Sequence, residues 1–284
     1  MLGLGNSITG PYVQGETVYA TSASWDFDGT DDHINLGSAD AIRGNVTDTS
    51  EGVGLTVATW FNIPDIVTNT STPKMILGAR QFPGGWEINF TSTRVQWHLK
   101  HGTSSGTNLN VPGGFRTLGP GLVPLRASGW HHIGFTFDGR LFKAFLNGSQ
   151  YGSTVDTGVD DCTIFHGTSA QGTDVMIGAD PTANSGVSGN SSAQAHTDII
   201  VNETAMWSGI LDEDAWSEIF EAVNTNGSVL DLTQDSGNYD YSSTLTGLYR
   251  ASNIDGTTVT NMANPGTSDG IMKNSLGTTS TVPS

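Results

Sequence analysis

The chain of 284 residues contains one cysteine, Cys162, so it can form no internal disulfide. The surrounding Asp161-Cys-Thr-Ile-Phe alternates as a strand does. No His or Asn stands in a recognisable catalytic context around it, and Cys162 reads as a small buried side chain rather than a nucleophile. Basic residues are equally scarce: 11 Lys and Arg against 28 Asp and Glu give a formal charge of −17, and the first basic residue is Arg43. Such a surface repels phosphate backbones, which argues against nucleic acid as a partner. No apolar run is long enough to cross a bilayer. The opening MLGLGNSITGPYVQG lacks both a basic n-region and a sustained apolar h-region, so the expectation is a chain that is neither signal-exported nor membrane-inserted. Nucleophile elbows, phosphate-binding glycine loops and Cys/His zinc spacings are also missing.

What remains suits short strands. Charged residues make up only 14% while glycine numbers 37, a composition that favours strands joined by turns over long surface helices. From Ser24 the texture sharpens: in Trp25-Asp-Phe-Asp-Gly-Thr-Asp-Asp-His-Ile-Asn-Leu-Gly, Trp25 and Phe27, then Ile34 and Leu36, are spaced by two. This predicts a hairpin around an Asp/Gly turn at a sandwich edge. Further strands are expected at 55–63, 74–78, 86–90, 94–99, 130–138, 141–146, 162–165, 175–177 and 199–207, with strand-like pieces at 245–251 and 257–261. Regular short strands with turn punctuation indicate a sandwich or barrel rather than βαβ units.

One segment departs from this pattern. In Asp212-Glu-Asp-Ala-Trp-Ser-Glu-Ile-Phe-Glu-Ala-Val, Trp216, Ile219, Phe220 and Val223 follow helical spacing, with acids in the first turn where the helix dipole favours them. The expected organisation is an N-terminal arm over 1–23, a sandwich over 24–223 and a C-terminal extension over 224–284 packed on it. Two long loops, 102–126 and 180–196, offer room for binding.

Three segments resemble the laminin-G-like (LamG, concanavalin A-like) jelly-roll superfamily. They are Phe27-Asp-Gly-Thr-Asp-Asp-His-Ile-Asn-Leu-Gly, then Gly129-Trp-His-His-Ile-Gly-Phe-Thr-Phe-Asp-Gly-Arg-Leu-Phe-Lys-Ala-Phe-Leu-Asn-Gly, then Val201-Asn-Glu-Thr-Ala-Met-Trp-Ser-Gly-Ile-Leu-Asp-Glu-Asp-Ala-Trp. The resemblance implies an all-β jelly-roll sandwich with one short amphipathic helix and extended termini. More narrowly, the start Met1-Leu-Gly-Leu-Gly-Asn-Ser-Ile and the tail segments Leu230-Asp-Leu-Thr, Gly247-Leu-Tyr-Arg and Asp255-Gly-Thr-Thr-Val-Thr look like structural proteins of marine tailed phages. That likeness implies a non-enzymatic virion protein, a capsid decoration, cement or surface-display protein. It would be assembled in the host cytoplasm with a major capsid protein or other virion proteins, as a homo-oligomer. The alternatives are a carbohydrate-binding lectin module, tail or fibre adhesins and cell-surface glycan partners included, and a glycan-active hydrolase or lyase.

Glucanases of this jelly roll resemble one another in carrying acids at every second position of a strand. Trp86-Glu-Ile-Asn-Phe offers only one, Glu87; with Glu203 it is what the enzymatic reading would depend on. The family likeness permits a structural calcium, for which Asp26, Asp28 and Asp32, with Asp31 in the same crowded turn and Glu203 on a neighbouring strand, supply hard oxygen ligands. The same Asp-Gly-Thr-Asp-Asp can equally form a plain Asx-type turn. For sugar, Trp86 and Trp97 on the sheet and Arg116 and Arg126 on the long loop are the expected contacts, although a sandwich with seven tryptophans more commonly buries them. The adjacent His131 and His132 point to opposite faces of a strand and cannot chelate one ion together.

Overall fold

The computed structural model describes residues 17–38, 54–62, 74–81, 84–91, 94–99, 101–103, 129–158, 162–164, 174–181 and 195–284. The expected 1–16 portion of the arm, residues 104–126 of the first long loop with Arg116 and Arg126, residues 182–194 of the second, and the side chain of Cys162 lie outside the described residues. In chain order the strands are β1 (Val18–Tyr19), β2 (Ser24–Asp28), β3 (His33–Ser38), β4 (Leu55–Asn62), β5 (Lys74–Gln81), β6 (Gly84–Thr91) and β7 (Arg94–Leu99). There follow β8 (His101–Thr103), β9 (Trp130–Phe137), β10 (Leu141–Leu146), β11 (Ser149–Asp156), β12 (Cys162–Ile164), β13 (Asp174–Ile177) and β14 (Asp198–Trp207). Helix α1 (Glu213–Asn226) precedes β15 (Val229–Leu230), β16 (Leu245–Arg250), β17 (Ile254–Asp255), β18 (Thr258–Val259), β19 (Gly270–Lys273) and β20 (Gly277–Thr279).

Two antiparallel sheets face each other. The first has the order β11-β10-β9-β4-β14-β2-β20, with β16 also pairing β14; the second has the order β17-β18-β19-β3-β13-β5-β6-β7. Alternation within each strand sends Trp25, Phe27, Val57, Phe61, Phe135 and Phe137 from the first sheet against Ile34, Leu36, Ile76, Trp86, Ile88 and Trp97 from the second. Trp97 ties the layers together, its indole Nε1 donating to the Gly134 carbonyl at 2.9 Å. On the opposite face of the same strand Gly134 makes room for Trp216, since a Cβ there would sit 2.0 Å from the Val57 carbonyl oxygen and 2.4 Å from the Trp216 ring.

The predicted hairpin between β2 and β3 does not form. β2 pairs β14 and β20 in the first sheet, whereas β3 pairs β13 and β19 in the second. The Asp-rich turn is therefore an arch between sheets. Apolar spacing alone could not distinguish the two arrangements, because in both Trp25, Phe27, Ile34 and Leu36 reach the same core. By contrast, β9 and β10 do form a hairpin, with Gly139 at φ 93° and the Asp138 carboxylate accepting from the Arg140 and Leu141 amides at 2.8 and 2.6 Å.

The outer face of the first sheet is covered by α1. Asp212 caps it by accepting from the Ala215 amide at 2.8 Å, and Gly227, left-handed at φ 61°, ends it. Trp216, Ile219 and Ala222 bury against Ala58, Phe145, Ala205 and Trp207. Residues after the helix supply strands to both sheets: β16 and β20 to the first, β17 to β19 to the second. The entering chain, through β1, pairs β15.

Candidate functional site

Since Trp86 and Ile88 face the core, Glu87 and Asn89 on the same strand face outward. Register aligns Asn35 of β3, Met176 of β13, Gly78 of β5, Glu87 of β6 and His98 of β7 in one row across the second sheet. A second row places Asn89 opposite Gln96. Glu87 is 2% exposed, and its Oε1 accepts from Asn89 Nδ2 at 2.9 Å and lies 3.5 Å from His98 Nδ1. Asn89 Oδ1 is buried with no hydrogen-bond partner. Asn35 donates to the Asp174 carboxylate at 2.9 Å. Gln96 and His98 are half-buried and form the accessible flank of this polar patch.

A second polar locus is the arch. Asp28, Asp31 and Asp32 bring carboxylate oxygens within 4.8 Å of one another. Asp28 forms the Asx turn, accepting from the Thr30 amide at 2.7 Å, and this bond holds its carboxyl below the ordinary range. Burial pushes the Asp32 carboxyl up. Three hard oxygen donors on one turn fit Ca²⁺, and the unpaired lone pairs of an Asx-turn carboxylate leave the two readings compatible.

The other expected ligands are elsewhere. Asp26 faces solvent on β2, outside the three-carboxylate group. Glu203 is 3% exposed and engaged by Arg250, whose Nε lies 2.5 Å from its Oε2. The irregular register between Val201 and Thr204 places it against β16 rather than beside the arch. The sequence pairs acids by proximity along the chain; the buried guanidinium that claims Glu203 has no local signal.

Trp86 and Trp97 are 2% and 0% exposed and pack inside the sandwich, Trp86 edge-on to Phe135 at 5.5 Å. Neither offers a ring to a ligand. Register explains this: Trp86, Ile88, Val95 and Trp97 belong to the same inward set. Asn89, Gln96 and His98 went unselected in the sequence, yet alternation around the core tryptophans marks them as outward neighbours. His131 and His132 do separate, His131 near Phe61 and His132 stacked at 4.9 Å on Trp60.

Two facing antiparallel sheets, a core of inward aromatics and a polar outer face on the second sheet define a jelly-roll sandwich of the lectin type. The chain belongs to the concanavalin A-like lectin/glucanases superfamily, whose laminin G model matches residues 28–191. Among solved structures, a Bacteroides ovatus protein classed as carbohydrate-binding aligns with TM-score 0.55 at 13% identity, covering 92% of this chain and 60% of its own. The binding domain of botulinum neurotoxin serotype D aligns with TM-score 0.48 at 15% identity over 78% of this chain and 48% of its own. A heptameric pentraxin of Limulus polyphemus gives 0.42 at 15%, over 72% and 84%. At 13% identity the likeness to the Bacteroides ovatus protein is one of fold. No curated protein matches the sequence. No helix among the described residues is long and apolar enough to cross a membrane.

Proposed function

We propose that this chain is a non-catalytic glycan-binding domain. The observation that carries this is Asn89 Oδ1, a buried acceptor without a partner inside a patch of planar polar side chains. A buried acceptor left unpaired costs free energy, which a donated sugar hydroxyl would recover. Glu87 orients the patch by holding Asn89 and facing His98. The non-catalytic reading is supported by the disposition of the acids. Glu87 faces outward from the second sheet and Glu203 lies on the far side of the first, so the core separates them and they cannot flank one glycosidic bond. Ca²⁺ at Asp28, Asp31 and Asp32 would brace the arch.

The finer reading is display on a virion, as a capsid decoration, cement or surface-display protein that docks on a major capsid protein or another virion protein and assembles as a homo-oligomer. Its support is the likeness of both ends of the sequence to structural proteins of tailed phages.

Glycan arrays on the purified chain and its Asn89→Ala variant test the binding reading. Selective glycan signal in the parent that is lost in the folded variant is expected; an array without signal, or an unchanged variant, overturns it. Antibody labelling of purified particles from the source culture tests display. Regular labelling supports it, while particles lacking the chain overturn it and leave a free lectin.

A further inference from the structure

We propose that the polar patch around Asn89 selects sugars bearing a 2-acetamido group, the N-acetylhexosamines, an inference that rests on the glycan-binding function proposed for that face. Asn89 fixes the chemistry. Its Nδ2 donates to Glu87 Oε1 at 2.9 Å, and a carboxylate only accepts, so the amide has one possible orientation. The atom left buried without a partner is therefore the acceptor Oδ1, and what it takes is a donor, an O–H or an N–H. Carboxylate and sulfate substituents, which bring acceptors alone, do not suit that position.

The neighbours of Asn89 decide between the donors. Register sets Met75 of β5 opposite it on one side and Gln96 of β7 opposite it on the other. Directly opposed residues hold their Cβ atoms about 4.5–5.5 Å apart. Met75 stands outside the inter-sheet core: a Cβ on Gly78 would lie 3.0 Å from its Sδ and 3.1 Å from the Glu87 Cβ, which puts the thioether on the outer face beside Glu87. Met176 of β13, opposite Gly78, belongs to the same face. A sugar hydroxyl satisfies Oδ1 alone. An acetamido group matches three features at once: its N–H donates to Asn89 Oδ1, its methyl packs on the Met75 thioether, and its carbonyl accepts from Gln96 Nε2.

Access suits a substituent of this size. Asn89 is 1% exposed, so its oxygen is reached by a slender arm and not by a sugar ring. Gln96 and His98 are half-buried and stand on β7, the last strand in the order of the second sheet, where a ring can rest while its acetamido arm turns inward. The parent hexose, with a hydroxyl at the same carbon, keeps the donor and forfeits the methyl and carbonyl contacts. A free amino sugar forfeits the same two. Losing one apolar group from a close-fitting contact changes selectivity roughly tenfold or more.

Calorimetric titration of the full chain with N-acetylglucosamine and N-acetylgalactosamine, beside glucose, galactose and glucosamine, tests the selectivity. A preference of roughly tenfold or more for the acetamido sugars is expected. Gln96→Ala, at a half-buried position outside the core, should keep the parent's circular dichroism spectrum and narrow the preference. Hexoses bound as tightly as their acetamido counterparts overturn the inference and leave glycan binding standing. A preference unaltered in Gln96→Ala moves recognition away from this patch and overturns it too. A chain that binds none of these sugars and gives no signal on glycan arrays overturns the glycan-binding function itself, and the inference with it.

Discussion

Arg250 Nε and Glu203 Oε2 meet at 2.5 Å in a setting where both side chains are at most 3% exposed. The guanidinium also lies 3.9 Å over the Tyr19 ring and donates through Nη2 to the Leu230 carbonyl at 3.4 Å, so one cation joins β1, β14, β15 and β16. Removing Arg250 strands the Glu203 carboxyl in the interior, whereas Arg250 also has Asp231 at 3.8 Å. Arg250→Ala is expected to cost about 3–5 kcal/mol, whereas replacing both residues with apolar side chains of similar volume should cost far less. Urea unfolding of the single and double variants measures the difference.

His132 provides the acid sensitivity. Stacked on Trp60 and 5.4 Å from Trp216, it is buried, and burial alone pushes its ring down from 6.5 to about 3. Between those values the unfolded chain binds a proton that the folded chain does not. The contribution is therefore complete above about pH 6.5 and is lost as pH falls, by up to about 1.4 kcal/mol per unit. His132→Phe keeps the stacking and removes the titration. Melting curves at pH 7, 5 and 4 should show a shallower acid decline in the variant, and an equal decline would refute the assignment.

Trp97 and Asn89 separate stability from binding. Trp97→Phe deletes the inter-sheet hydrogen bond to Gly134, for an expected loss of about 0.5–1.5 kcal/mol. Glycan affinity should persist in that variant. Asn89→Ala, which changes the outer face only, should do the reverse. Paired unfolding and glycan-array measurements on the two variants check this.

Calcium should raise the melting temperature through the arch. At a hundredfold excess over its dissociation constant the expected gain is about 2.7 kcal/mol. Asp32→Asn should abolish the gain and Glu203→Gln should not, because Glu203 belongs to Arg250. Calorimetric scans with and without chelator decide it; a gain surviving Asp32→Asn moves the ion elsewhere.

Most of the sandwich was legible in local pattern. Alternation marked the core faces of β4, β9, β10 and β14, the Asp138-Gly139 turn fixed one hairpin, and Asp212 with the spacing of Trp216, Ile219 and Val223 announced α1. The site was less legible. Trp86 and Trp97 read as ligand platforms because a strand's alternation gives two faces without saying which one is inside. The outward Glu87, Asn89 and His98 become a group only when β6 and β7 lie side by side in register.

The sequence by itself determined which segments extend, where they turn, and that the interior would be aromatic, because those outcomes depend on residues within a few positions of one another. Tertiary structure alone decided that β2 and β3 part to opposite sheets, that Glu203 meets Arg250 across 47 residues, and that Met75 and Gln96 flank Asn89. Backbone alternation specifies a face but not a partner; the partner follows from how two whole sheets close over a common core.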